Sequence, residues 1–359
     1  MKQASRAVVV AMALAACAGC SAGEAQNAPQ PYKLGMFQEG ARTFAGLVVG
    51  DSLVVDLSRA NVNAPATLHE LIARWDPPMA ERLGQLAGQA QRERPSFAFQ
   101  LSAVKVLVPI GDPDAILMAA RNYAEHANEM AQTGRTAGTT SVIDEKVRSG
   151  IPGLWTRQPN DQRPNPYLFP KLKSSLVADG VPIVLPPGRA KIDYECELVA
   201  VIGKTAKRVS VDRALDYVFG YMAMTDVSDR EDRADGRYGS DWLISKSYDT
   251  FGPTGPFIVP AQFVGDPQNL AVKYTLNGNV MQDANTSLMV HTVRDLISYA
   301  SNISTLAPGD LIGTGTPGGV GEGRVPPVYL KAGDTSVCTI EKIGSLTNPV
   351  QSFRPTGTD

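Results

Sequence analysis

Two glutamates one residue apart, Glu195 and Glu197, stand in the apolar stretch Asp193-Tyr194-Glu195-Cys196-Glu197-Leu198-Val199-Ala200-Val201-Ile202-Gly203. Its β-branched and apolar residues, closed by glycine, predict a buried strand over 193–203. Side chains alternate along a strand, so Glu195 and Glu197 share one face, with Tyr194, Cys196 and Leu198 on the other. Their Cα atoms then lie roughly 6.6 Å apart, and the carboxylates can converge on one point. Two such groups in an apolar setting repel each other and lose hydration, and a bound cation removes both penalties. The alternative is an edge strand with both glutamates facing water. A second apolar run, Val218 to Thr225, ends at Asp226, where a third carboxylate can reach the same point.

Other residues add acid–base chemistry. His126 and Glu129 are three apart in a segment with helix propensity, close enough to touch on one helix face. An imidazole held by a carboxylate has its tautomer fixed and its basicity raised, as general-base work requires. A surface His/Glu pair is the competing reading. Lys246 lies in the aromatic and apolar stretch Trp242 to Phe251, a poor setting for a solvated lysine. Residues 308–321 read as a strand running into a glycine-dense loop, which lets backbone N–H groups approach an anion. That loop has neither a P-loop lysine nor a following helix, which excludes nucleotide binding of that type.

The elements that must position these residues follow from periodicity and turn chemistry. Residues 32–60 read as β, with Phe44 to Val49 and Leu53 to Leu57 joined by a two-residue turn at Gly50-Asp51. Thr67 to Glu70 has capping-box form before a helix through Trp75; Pro77-Pro78 stops it, and Met79 to Arg92 reads as a second helix. His69 in the first helix is read as a surface or packing histidine. The segment 32–104 is expected to form a small N-terminal α+β subdomain, and 105–350 the catalytic domain. Residues 131–166 are rich in Thr, Gly, Pro and Asn with little periodicity; beginning beside the His/Glu pair, they suggest a lid, drawn over 123–165. Asn277-Gly278 marks a hairpin, Val293 to Ser301 a helix, and 351–359 a frayed tail.

Composition bounds the function. The chain is long enough for one large domain plus a smaller one, and 43% hydrophobic against 19% charged residues excludes disorder as the general state. A formal net charge of −2 with no basic stripe argues against a nucleic-acid partner. Lys2 and Arg6 followed by the apolar run Ala7 to Ala16 and Cys17 resemble a bacterial lipoprotein signal over 1–20, with a lipid anchor at Cys17 and Cys20 the weaker candidate. Residues 21–31 would then be a flexible tether. The expectation is an exported protein on the periplasmic side, membrane-anchored, with a soluble periplasmic form as the alternative. Cys196 and Cys338 are read as two buried thiols rather than a disulfide, a bridge remaining open in an oxidising compartment.

Taken in order, the motifs resemble the fumarylacetoacetate hydrolase family, in the manner of its C-terminal catalytic domain. They are Asn-Tyr-x-x-His-x-x-Glu (122–129), Asp-Tyr-Glu-x-Glu-Leu (193–198), Val-Ile-Gly-Lys (201–204), Thr-Asp-Val-Ser (225–228), Lys-Ser-Tyr-Asp-Thr-Phe-Gly-Pro-x-Gly-Pro (246–256), Leu-Asn-Gly (276–278) and Leu-x-Pro-Gly-Asp-Leu-Ile-Gly-Thr-Gly-Thr-Pro (306–317). The resemblance implies a β-rich α+β fold, a mixed β-sandwich roll, assembled as a homodimer. It implies that Glu195, Glu197 and Asp226 bind a divalent metal. It casts His126, Glu129 and Lys246 as catalytic, with Tyr123, Arg230, Gly315 and Thr316 binding substrate. Ala120, Glu231 and Arg233 depart from the residues often seen in the family, which leaves the substrate open.

Three carboxylates are hard oxygen donors and select Mg²⁺ or Mn²⁺, with Ca²⁺ possible, over zinc. The leading expectation is a metal-dependent hydrolase cleaving the C–C bond of acylpyruvate or fumarylacetoacetate-like β-diketo acids, with water activated by His126. A second is an isomerase or decarboxylase of 2-oxo dicarboxylates at the same site. A third, of another class, is a non-catalytic exported binding protein for a 2-oxo acid.

Overall fold

The computed structural model describes residues 30–133, 161, 163–231 and 241–355. The chain opens with β1 (Lys33–Glu39), β2 (Arg42–Val49) and β3 (Leu53–Asp56), an antiparallel meander. Its second turn is the expected one: Gly50 and Asp51 both take positive φ, 57° and 56°, matching the twist of the flanking strands. Helix α1 (Leu68–Ala73) starts at Thr67, whose hydroxyl accepts from the Glu70 N–H at 3.2 Å. Pro77 and Pro78 open α2 (Pro77–Glu93), capped by Asp76, because proline fits the first helical turn, where its missing N–H is not needed. Strands β4 (Ala98–Gln100) and β5 (Lys105–Leu107) follow, pairing with β3 and β1.

The middle of the chain supplies β6 (Ile116–Ala119), α3 (Ala124–Gln132), β7 (Leu168–Pro170), β8 (Leu176–Val177), β9 (Ile183–Leu185), β10 (Ile192–Asp193), β11 (Cys196–Ile202), β12 (Val218–Thr225), β13 (Ser228–Asp229), α4 (Trp242–Lys246), β14 (Gly252–Pro260) and α5 (Ala261–Val264). The remainder is β15 (Ala271–Leu276), β16 (Asn279–Asn285), α6 (Val293–Ile303), β17 (Leu311–Gly313), β18 (Thr335–Ile340) and β19 (Gly344–Ser352). Asn277-Gly278 turns β15 into β16, as its residue types require.

A large sheet runs β4-β3-β2-β1-β14-β12-β11-β17-β6-β7, and a smaller one β16-β15-β18-β19-β9. The N-terminal strands thus join the sheet that carries β11, through the β1–β14 pairing of Leu34 with Ile258. The fold is the expected β-rich α+β roll. One face of the large sheet meets α1 and α2 in an apolar core containing Leu71, Leu83, Val199 and Met222. The other face meets the small sheet and α6 around Leu198, Ala200, Tyr274, Leu296 and Leu346. β11 lies inside the large sheet, bonded to β12 and β17, so Glu197 is not on an edge.

One reading is corrected here. Cys196 and Cys338 are joined as a disulfide rather than held as separate thiols. β11 and β18 come from different sheets, and their closest approach brings these two Cα atoms to 5.3 Å, within disulfide reach. The lipoprotein segment, the tether up to residue 29, residues 134–160 and 162 of the expected lid, Arg233, and residues 356–359 of the expected tail lie outside the described residues.

Candidate metal centre and active site

The regular part of β11 begins at Cys196; Glu195 lies just before it, where the Asp226 N–H donates to the Glu195 carbonyl at 2.7 Å. That bond joins the head of β11 to the end of β12 and brings the third acid beside the first two. Glu195, Glu197 and Asp226 are 4%, 1% and 0% exposed, which settles the question of water against interior. One carboxylate oxygen from each lies within 4.8 Å of the others. The opposite face is as expected: Tyr194 stacks on Tyr274, with centroids 4.4 Å apart, and Cys196 points to β18.

Three cations crowd this point. Lys246 Nζ lies 2.7 Å from Glu195 and 2.6 Å from Asp226. Lys171 Nζ lies 2.9 Å from Asp226 and also donates to the Lys246 carbonyl. Arg230 donates to Asp193 at 3.0 Å and to Glu195. Glu197 instead accepts the Gly315 N–H at 2.8 Å. Gly315 itself is at φ +86°, and a Cβ there would stand 2.8 Å from that of Asn122, so the close approach of this loop requires glycine.

The charges divide unevenly. Burial acts to raise the Glu195 carboxyl, but Lys246 and Arg230 outweigh it and hold the group below the usual carboxylate range. Burial, reinforced by Asp226 and Glu195, pushes the Glu197 carboxyl well up. Burial lowers Lys171. It opposes the charge on Lys246 too, yet Asp226 and Glu195 outweigh it and raise that group. Among the described residues four carboxyls (Asp193, Glu195, Glu197, Asp226) face three cations (Lys171, Arg230, Lys246), one carboxyl more than the cations answer, and burial favours the proton on Glu197. The donor set is all hard oxygen, buried and convergent, and one carboxyl of the three, Glu197, is paired with no cation among the described residues. These residues fit a divalent metal. A dication that displaced the Glu197 proton would leave positive charge in excess and favour an anionic ligand.

His126 and Glu129 stand on α3 beside this cluster. His126 Nε2 lies 4.0 Å from Glu195, and Nδ1 lies 4.0 Å from Glu129. Those separations exceed a hydrogen bond. The Glu129 carboxylate instead accepts the Gly319 N–H at 2.8 and 3.0 Å, tying α3 to the glycine-rich loop. Tyr123 caps α3, buried; burial and the nearby Glu197 raise its hydroxyl. Thr316 is buried, its hydroxyl donating to the Cys196 carbonyl at 3.0 Å. All ten residues singled out in the sequence therefore gather around the heads of β11 and β12.

Sequence reasoning missed three participants. Lys171 follows β7, and nothing local separates it from Lys173, which is exposed. Asp193 opens the strand already singled out, so the alternation that found Glu195 and Glu197 also offered Asp193 on the same face. Gln282, on β16, has no local signal: its amide meets Cys196 and Thr316 from the small sheet.

Known proteins resemble the chain in sequence and in fold. The family profile described as "Fumarylacetoacetate (FAA) hydrolase C-terminal" matches residues 115–351. The chain is 35% identical over 297 residues to "Oxaloacetate tautomerase Fahd2a, mitochondrial" of Rattus norvegicus, covering 83% of each chain. It is 34% identical over 297 residues to the Xenopus laevis protein named oxaloacetate tautomerase fahd2, mitochondrial, covering 83% of this chain and 82% of that one. Among solved structures, fumarylacetoacetate hydrolase from Exiguobacterium antarcticum superposes with a TM-score of 0.67 at 30% identity, covering 90% of this chain and 100% of that one. Maleylpyruvate hydrolase from Sphingobium sp. SYK-6, in complex with manganese(II) and pyruvate, gives a TM-score of 0.64 at 28% identity, again over 90% and 100%. The expectation of an exported, periplasmic lipoprotein is overturned by these relatives, which are named as mitochondrial proteins. Among the described residues no helix is long and apolar enough to cross a membrane.

Proposed function

The chain belongs to the fumarylacetoacetate hydrolase family, and on that premise we propose that it is a divalent-metal-dependent isomerase of 2-oxo dicarboxylates, catalysing the keto–enol tautomerisation of oxaloacetate. The observation that carries this is the buried convergence of Glu195, Glu197 and Asp226 beside the His126 imidazole. A cation held by those three carboxylates, Mg²⁺ or Mn²⁺, would polarise the carbonyl of a chelating 2-oxo acid and acidify its α-hydrogens. His126 Nε2, turned toward Glu195, takes a proton from the α-carbon and returns it to the carbonyl oxygen, so the reaction balances without water. Lys246 neutralises the negative charge that develops on that oxygen. The loop from Gly315 to Gly319 holds the substrate's far carboxylate. Tyr123 and Arg230 close the sides of the site.

Two features favour tautomerisation over C–C hydrolysis. Relatives named for that reaction align over most of both chains. In addition, Glu129 is engaged by Gly319 rather than by His126, so the dyad that would activate water is not assembled here. Hydrolysis of acylpyruvate-like acids is the second reading. It is favoured by the nearness of Glu129 to His126 and by the likeness to a maleylpyruvate hydrolase.

The test follows the decay of enol-oxaloacetate absorbance with Mg²⁺, with Mn²⁺ and with chelator, beside acylpyruvates assayed for cleavage. Metal-dependent acceleration of the enol decay without acylpyruvate cleavage supports the proposal; cleavage alone replaces it with the second reading.

A further inference from the structure

Gln282 projects from β16 of the small sheet, buried, into the seam between the metal-ligand strand and the glycine-rich loop. Its Oε1 accepts the Cys196 N–H at 3.1 Å, and its Nε2 donates to Thr316 Oγ1 at 2.8 Å and to the Pro317 carbonyl at 2.9 Å. The amide orientation is fixed by chemistry, since a backbone N–H can be met only by the oxygen. Thr316 Oγ1 therefore receives a hydrogen from Gln282 and must spend its own on the Cys196 carbonyl. The Thr316 hydroxyl has no proton left for a substrate. The Thr316 backbone N–H donates to no protein group among the described residues.

We propose that Gln282 is a positioning residue for substrate binding: it locks the Thr316 hydroxyl away from the site, so that Thr316 meets an anionic carboxylate through its backbone N–H. The same amide holds the Pro317 carbonyl, keeping an oxygen with partial negative charge turned from the anion. Gln282 also braces the backbone N–H of Cys196, the residue between the two metal glutamates. This rests on the reading of residues 315–319 as the carboxylate end of the site. Gln282 touches neither reacting atoms nor metal ligands, so its removal acts on binding that is equal in ground and transition states.

Gln282→Glu keeps the acceptor for Cys196 and removes both donors; Gln282→Leu removes all three bonds. In both, KM for oxaloacetate rises about tenfold with kcat changed less than about threefold, as expected for losing buried hydrogen bonds that orient a binding loop. Affinity for Mn²⁺, read by electron paramagnetic resonance, stays within about twofold. Thr316→Val gives a similar KM, and combining it with Gln282→Glu raises KM by less than the product of the two single effects, because both lose the bond between that amide and one hydroxyl. This arm also carries the test if the leucine variant does not fold. An unchanged KM, additive effects, or a joint fall of kcat, Mn²⁺ affinity and Tm overturns the proposal. If the wild-type protein does not turn over oxaloacetate, the functional reading fails by itself. The measure is then Mn²⁺-dependent binding of 2-oxoglutarate, which has both a chelating 2-oxo acid end and a distal carboxylate, by calorimetry: about tenfold weaker in Gln282→Glu upholds the role, and unchanged binding overturns it.

Discussion

From β1 to β5 the buried side chains are almost all hydrocarbon: Leu47, Val55, Leu71, Leu83 and Leu86 fill the space between the sheet and two helices. The buried charge described in that segment is Asp56, answered by Arg42 at 2.6 Å and by the Ser58 hydroxyl at 2.6 Å. At the head of β11 the interior instead holds four carboxyls and three cations within one cluster. Apolar burial stabilises a fold by roughly 25 cal/mol per Å² removed from water, whereas burying ion pairs barely offsets their lost hydration. The two regions thus share one sheet but not one purpose. The first holds the sheet together, and the second keeps unfavourable charge in place, as the proposed metal site requires.

The largest contrast is expected from Glu197→Gln. It abolishes Mn²⁺ binding and with it turnover, a loss above about 10³-fold on the scale typical of catalytic groups. Because that carboxyl is paired with no cation among the described residues, the metal-free Tm does not fall, as differential scanning calorimetry would show; a collapse in Tm would mean that the cluster is structural. Next is His126→Ala, which lowers turnover by about 10²–10⁴-fold while Mn²⁺ affinity stays within about twofold.

Leu83→Ala, in the apolar region, reverses the pattern. It costs about 2–5 kcal/mol in urea unfolding and leaves Mn²⁺ affinity unchanged. The smallest effect is that of pH. The raised carboxyl of Glu197 keeps its proton in the folded protein to higher pH than in the unfolded chain. Between those two values the folded state binds more protons, so metal-free stability falls as pH rises. Metal binding must expel that proton, so apparent Mn²⁺ affinity climbs by up to about tenfold per pH unit in the same window. An affinity independent of pH, measured by titration from acid to neutral, would remove Glu197 from the ligand set.

Much of this contrast was legible in the chain itself. Strand alternation placed Glu195 and Glu197 on one face, and an acid at the end of a hydrophobic run pointed to Asp226. Turn and cap chemistry located Gly50-Asp51, Asn277-Gly278 and Thr67 where the structure has them. The motifs between Asn122 and Pro317 carried the family. Less legible was the His126–Glu129 contact. Helical spacing brought the pair together, but spacing says nothing of a competing donor, and the Gly319 N–H takes the carboxylate.

What the sequence by itself determined is local: the period of each strand, the turns, the helix caps and the residue types near one another along the chain. These depend on backbone sterics and on spacings of a few residues. Only the tertiary structure decided which cations meet the acids, that Cys196 bonds Cys338 across 142 residues, and that Gln282 reaches Thr316 from another sheet. Such contacts are fixed by how sheets pack face to face, and no short-range pattern in the chain encodes that.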